Sequence, residues 1–158
     1  MSDRMLSPGD PAPDFALPAD DGSTVSLADL KGSRTVIYFY PKDDTPGCTI
    51  QACSLRDAQA DFDAIGASVF GVSPDSPESH ARFRDKYALG FRLLADQDHA
   101  MAEAYGAWGE KKNYGKTSMG IIRSAFVIDG DGKIVLAKYN VKPDATAPGA
   151  LAALASAE

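Results

Sequence analysis

Three short runs, TVIYFY at 35–40, SVFGVS at 68–73 and FRLLAD at 91–96, are rich in β-branched, aromatic and aliphatic residues. Between them lie stretches whose apolar residues recur at helical spacing. Strands that alternate with helices pair in parallel through right-handed crossovers, which narrows the chain to an α/β architecture. Pro41 closes the first run, since it cannot donate to a strand ladder. Cys48, Ala52, Leu55 and Phe62 then predict a helix over 48–62 that turns one stripe to the core, with Arg56, Asp57 and Asp61 interleaved. After the second run, SPESHARFRDKYAL places Ser76 as a cap, Pro77 at the first helical position and Phe83 four residues before Tyr87.

Asp98 reads as the cap of a short helix whose Met101, Ala104, Tyr105 and Trp108 share a face, and a loop rich in Lys and Gly leads on to SAFVID. The turn Asp129-Gly130-Asp131-Gly132 joins that run to KIVLAKY as a hairpin. An Asp-Asp-Gly step at 20–22 marks a small opening hairpin, and the alanine-rich tail from Thr146 to Glu158 reads as a closing helix with Pro148 near its first turn. A mixed central β-sheet with helices on both faces accommodates the parallel and the hairpin strands together. The thioredoxin-like fold is the small α/β architecture with that order. No repeat or linker interrupts it, so residues 1–158 are read as a single domain.

The hydrophobic content of 44% is enough for a proper core in 158 residues. Sixteen Lys and Arg against 22 Asp and Glu leave a formal charge of −6, which argues against nucleic acid as a partner. No run is long and apolar enough for a signal peptide or a membrane span, so the expected setting is the cytoplasm. A structural disulfide is not expected there. The two cysteines, Cys48 and Cys53, are left as buried spectators, metal ligands or redox-active groups.

A helix that starts near Thr45 to Gly47 puts Cys48 in its first turn, where free amides and the positive end of the dipole favour an anion. A free thiol titrates near about 8.5, and lowering that by two units takes about 2.7 kcal/mol. A helix terminus supplies only about 0.3 to 2 kcal/mol. A cation must make up the difference, the more so if Asp43 or Asp44 turns inward. Arg34, Arg56, Arg82, Arg84, Arg92 and Arg123 are the arginine candidates, and spacing does not choose among them. Five residues of helix separate Cys53 from Cys48 by about 140° around the axis and about 7.5 Å along it. A disulfide between them needs the first turns to unwind. Composition alone would make both cysteines small core residues. Metal binding has no support in the spacing of His80 and His99, which read as surface or cap residues, and no hydrolase signature is present.

Pro41-x-x-x-Thr45-x-x-Cys48 and the segment TPGCTIQACSLRD resemble the peroxiredoxin family, in its bacterioferritin comigratory protein (PrxQ) subgroup. The likeness continues through AYGAWGEKKNYGKTSMGIIRSAFVID to the DGDGK hairpin. It implies a thiol-dependent peroxidase that reduces hydrogen peroxide and organic hydroperoxides. Cys48 would be the peroxidatic thiolate and Cys53 the resolving thiol within the same chain. Thr45 would offer its hydroxyl to thiolate and substrate, Pro41 would screen the sulfur from water, and the Gly47 and Cys48 amides would hold the peroxide oxygens. Arg123 would be the missing cation. No metal, haem or flavin is implied, thioredoxin or a similar thiol would be the reductant, the absence of a third cysteine disfavours an intersubunit resolving scheme without excluding dimers, and a monomer is the expected state.

Trp108 and Tyr105 match the family's aromatic segment but read equally as core, while Tyr38 and Tyr40 are placed on the sheet near the pocket. A redox-sensing binding module on the same fold is the alternative function. A disulfide oxidoreductase is disfavoured by the lack of a Cys-x-x-Cys pair.

Overall fold

Residue alternation along the central runs decides how the sheet is covered. In the computed structural model, which describes residues 5–113 and 115–156, the run at 35–40 supplies β3 (Arg34–Phe39). It follows a short antiparallel hairpin of β1 (Ala16–Pro18) and β2 (Thr24–Ser26), as the Asp-Asp-Gly step predicts. Strand β3 lies at the centre of a five-stranded sheet, in the order β5 (Arg92–Ala95), β4 (Ala67–Ser73), β3, β8 (Ser124–Ile128), β9 (Ile134–Tyr139). It pairs in parallel with β4 and antiparallel with β8; β4 pairs in parallel with β5, and β8 antiparallel with β9. This is the mixed sheet of the thioredoxin-like fold.

Val36, Tyr38 and Tyr40 face one cluster, shared with Cys48, Ala52 and Leu55 of α1 (Pro46–Asp57), Phe62 of α2 (Gln59–Ala64) and Phe83 of α3 (Pro77–Tyr87). Ile37 and Phe39 face the opposite cluster, with Phe15, Phe126 and, from α4 (Ala100–Ala104), Met101 and Ala102. Helix α5 (Thr146–Ser156) closes the first cluster with Ala147, Ala150 and Leu154, and the last two residues of the expected tail helix lie outside the described residues. Among the described residues no helix is long and apolar enough to cross a membrane.

Three local expectations are revised. The helix expected over 48–62 is two helices broken at Ala58, whose amide is shared by the carbonyls of Ser54, Leu55 and Arg56; the break lets α2 lie against β4 while Phe62 stays in the core. The cap of α4 is Asp96 rather than Asp98: His99 takes the left-handed conformation (φ 51°), which turns the Met101 and Ala102 amides back onto the Asp96 carboxylate at 3.1 and 2.9 Å. Asp98 accepts from Ala100 at 3.3 Å. The expected Lys- and Gly-rich loop is an antiparallel ribbon of β6 (Trp108–Asn113) and β7 (Lys116–Ile121), with Gly115 at φ 77° in its turn. It stands apart from the main sheet, and Thr117, Ser118 and Met119 are all exposed, which erases the apolar alternation that would mark a strand.

The cap expected of Ser76 is present, its hydroxyl accepting the Ser79 amide at 3.2 Å. A glycine inside β4 also has a cause. A Cβ on Gly71 would lie 2.8 Å from Leu93 Cδ2 and from the Cζ and hydroxyl of Tyr38, so the residue is bare where the Tyr38 ring crosses the strand. Gly71→Ala is therefore expected to cost about 1 to 3 kcal/mol, read as a lower urea midpoint at unchanged slope. A variant as stable as the parent would show that the Tyr38 ring can move aside.

Candidate active site

Strand β3 ends at the C-terminal edge of its parallel pairs, where open α/β sheets place their ligands. The chain leaves it through Tyr40 and Pro41, and Thr45 becomes the N-cap of α1 with extended backbone (φ −91°, ψ 157°). Pro46 occupies the first helical position, which needs no amide, and Gly47 and Cys48 complete the first turn. Their amides fall where an α-helix has no acceptor of its own to offer. Register brings the cation. Phe39 of β3 pairs with Ser124 of β8, so Arg123 stands beside the exit from β3 although it lies 75 residues beyond Cys48 in sequence.

Arg123 donates from Nη2 to Cys48 Sγ at 3.4 Å and from Nη1 to Gln51 Oε1 at 2.7 Å. Gln51 is fully buried and donates in turn to Thr146 Oγ1 at 2.8 Å, so the guanidinium is held from α1 and, through Gln51, from the start of α5. A Cβ on Gly47 would come within 3.1 Å of Nη2, and the bare glycine leaves the guanidinium its place over the first turn. Cys48 is 1% exposed. At such a distance two unit charges attract by about 5 kcal/mol at the effective dielectric of a protein surface, more than the helix terminus supplies.

Other arginine candidates are engaged elsewhere: Arg56 with Asp57 and the Tyr87 carbonyl, Arg84 with Asp20, and Arg92 with Ser23 and the face of Phe70. Thr45 does not bond the sulfur in this state, because its hydroxyl donates to the Lys42 carbonyl at 3.0 Å. Pro41 lies partly exposed in the loop ahead of the helix. Cys53 is a free, partly exposed thiol further along the intact α1. Tyr105 is core, with its hydroxyl on the Pro13 carbonyl, and Trp108 stacks on His99 at 3.8 Å.

Several contributors escaped the sequence reading. Gln51 lies three residues after Cys48 and so shares its side of the helix, a signal that was available. Thr146 arrives only through the tertiary fold. His80 was misjudged, and the direction of Asp43 was left open. Asp43 turns inward, whereas Asp44 turns out to Lys86 and Tyr87 at 2.7 and 2.6 Å. His80, expected at the surface, is fully buried, because it shares the inner face of α3 with Phe83 and finds the Asp43 carboxylate at 2.8 Å.

Asp43, Asp75 and His80 come close enough to offer ligands to an ion. Yet Asp43 accepts from the Tyr40 and Ser79 hydroxyls, and Asp75 accepts from the Ser73 hydroxyl and the Asp43 amide. Protons directed at both carboxylates suit hydrogen bonding and oppose a cation.

Comparison with known proteins gives the family. The AhpC/TSA family model matches residues 8–137. A putative peroxiredoxin of Mycobacterium tuberculosis is 58% identical over 137 residues, covering 87% of each chain, and the peroxiredoxin Bcp of Bacillus subtilis is 50% identical over 134 residues, covering 85% of each. A structure of the Xanthomonas campestris bacterioferritin comigratory protein, described for its alkyl peroxide reduction activity, superposes with a TM-score of 0.86 at 38% identity over 90% of this chain and 91% of that one. With the family model and such relatives matching most of its length, the chain belongs to the AhpC/TSA family, among the peroxiredoxins of the Bcp or Q type.

Proposed function

We propose that this thiol-dependent peroxidase works through Cys48 as the attacking thiolate and Cys53 as the resolving thiol, with hydrogen peroxide and organic hydroperoxides as substrates. The observation that carries the reading is the Arg123 guanidinium 3.4 Å from Cys48 Sγ at the first turn of a helix. A thiolate there is met by a charged fork on one side and free amides on the other. The same donors suit the transition state, in which negative charge spreads over the sulfur and both peroxide oxygens.

In the first step the sulfur bonds to one peroxide oxygen as the O–O bond breaks. Cys48 becomes a sulfenic acid, and the other oxygen leaves as alkoxide or hydroxide and takes a proton. Thr45, as cap of α1, sits where its hydroxyl can exchange the Lys42 carbonyl for the incoming oxygen. Pro41 shields the sulfur, and the Gly47 and Cys48 amides receive the substrate. In the second step the Cys53 sulfur displaces water from the sulfenic acid and forms a disulfide, which a dithiol reductant such as thioredoxin returns to two thiols by exchange. Activity toward alkyl hydroperoxides is the property for which the Xanthomonas protein is described, and the likeness supports it here. The single chain holds both thiols, so the cycle needs no second chain.

Resolution has a structural cost. Cys48, Gln51 and Ala52 are buried on α1, and unwinding its first turns breaks the Gln51 bonds to Arg123, worth about 1.5 to 3 kcal/mol net because its donor is charged, and to Thr146, worth about 1 kcal/mol. Peroxide attack belongs to the folded helix and disulfide formation to the opened one.

Intact-mass measurement during single turnover separates the roles. Cys48→Ser is expected to take up no oxygen. Cys53→Ser is expected to gain one oxygen and stall, while the parent loses two hydrogens and consumes peroxide continuously with a thioredoxin system. Oxidation of Cys48→Ser at the parent's rate would remove the assignment, and a parent that stops after one turnover would favour a sensor. Arg123→Met is expected to lower the peroxide rate constant by about a hundredfold or more, in the range of a lost transition-state donor, and an unchanged rate would displace Arg123 from the mechanism.

A further inference from the structure

Asp43 sets a problem for the site it adjoins. Its carboxylate turns into the protein and accepts the Tyr40 hydroxyl at 2.5 Å, the Ser79 hydroxyl at 2.7 Å and His80 Nδ1 at 2.8 Å, while its amide is fixed on Asp75 at 2.7 Å. These bonds pin the middle of the loop that delivers Thr45 and Cys48. The same carboxylate is a second anion near the sulfur. Tyr40, whose hydroxyl Asp43 accepts, stacks on Tyr38 at 5.4 Å, and both rings pack in one buried cluster with Cys48; the Tyr38 hydroxyl is pushed well above the usual tyrosine range by desolvation first, then by charge at Cys48 and at Asp43. Left uncompensated, Asp43 would oppose a thiolate at Cys48.

His80 bears on that charge. It is 0% exposed; Nε2 faces the Leu94 carbonyl at 2.9 Å, and Nδ1 faces the Asp43 carboxylate at 2.8 Å and, farther off, the Tyr40 hydroxyl at 3.4 Å, whose proton is given to Asp43 at 2.5 Å. A carbonyl can only accept, so Nε2 carries a proton. A carboxylate already taking protons from Tyr40 and Ser79 calls for another at Nδ1. The ring that satisfies both contacts is the imidazolium.

We propose that His80, as a buried imidazolium, cancels the charge of Asp43, so that the carboxylate anchors the loop ahead of Cys48 without disfavouring the Cys48 thiolate. His80 is thereby a positioning residue acting through Asp43, an inference that rests on Cys48 being the reacting thiolate. The surrounding groups leave this balance to the pair. After β4, Asp75 is occupied by Ser73 and the Asp43 amide; Tyr38 of β3 and Tyr40 just beyond it are kept neutral by burial; after β5, the Asp96 carboxylate faces the start of α4. Asp44 is paired with Lys86, and Arg82 and Lys86 of α3 line the outer rim beside Asp43.

The test uses the full chain carrying Cys53→Ser, so that Cys48 is the sole thiol, and follows the pH profile of its alkylation by iodoacetamide. His80→Gln keeps a donor for Asp43 and removes the charge. It is expected to raise the midpoint by about one pH unit, which is about tenfold less reactive sulfur below it. Asp43→Asn alone removes the anion of the pair and is expected to leave the midpoint at or below the parent's, and the double variant, with no charge at the pair, is expected to stay near the parent. An unmoved profile in His80→Gln, or a double variant displaced as far as the single, overturns the proposal. A purely structural role would disturb all three alike. Nitrogen NMR of the parent gives a second reading that needs no His80 variant: both His80 nitrogens protonated at neutral pH is expected, and a neutral tautomer overturns the proposal. A parent with the profile of an ordinary cysteine would instead defeat the reading of Cys48 itself, whereas a flat response from a parent with a low midpoint defeats this inference alone.

Discussion

The contact between the Arg123 guanidinium and the Cys48 sulfur is the interaction on which the rest of the site depends. It is a product of sheet topology. Arg123 reaches the helix that follows β3 because β8 pairs antiparallel with β3 in a register that sets Ser124 against Phe39. A shift of one residue would carry Arg123 to the other face of the sheet. The apolar alternation of β3 forbids that shift by burying a different row on each face, Val36, Tyr38 and Tyr40 on one and Ile37 and Phe39 on the other. Core packing and site chemistry are therefore one constraint.

The proposed cycle asks the same helix to serve two states. Folded, α1 aims its first-turn amides and Arg123 at the sulfur; opened, it lets two thiols meet that the intact helix keeps apart. The bonds that hold it are few and specific. Gln51 ties it to Arg123 and Thr146, and Asp43 with His80 fixes the loop that enters it. Such a segment can be ordered for attack and still open within the lifetime of an intermediate, because loosening it breaks a handful of hydrogen bonds and leaves the sheet untouched.

Much of this was legible in the sequence. The strands at 35–40, 68–73 and 91–96 and the helix behind the Pro-Gly step were written in short, locally consistent signals, and so was Cys48 at a helix start. What stayed hidden was long-range. Nothing local in Arg123 marks it as a partner of Cys48, and the family likeness singled it out. His80 looked like a surface histidine because its partners, Asp43 and the Leu94 carbonyl, come from other elements. The β6–β7 ribbon was hidden for another reason: the exposed Thr117, Ser118 and Met119 show no apolar alternation.

The most direct measurement of the central claim is the ultraviolet absorbance of the Cys48 thiolate across pH in the otherwise unaltered Cys53→Ser protein, beside the same titration of Arg123→Met. A sulfur already ionised at neutral pH, and returned toward an ordinary thiol when the guanidinium is gone, is the result the Arg123 contact requires. Two superimposable curves would contradict it.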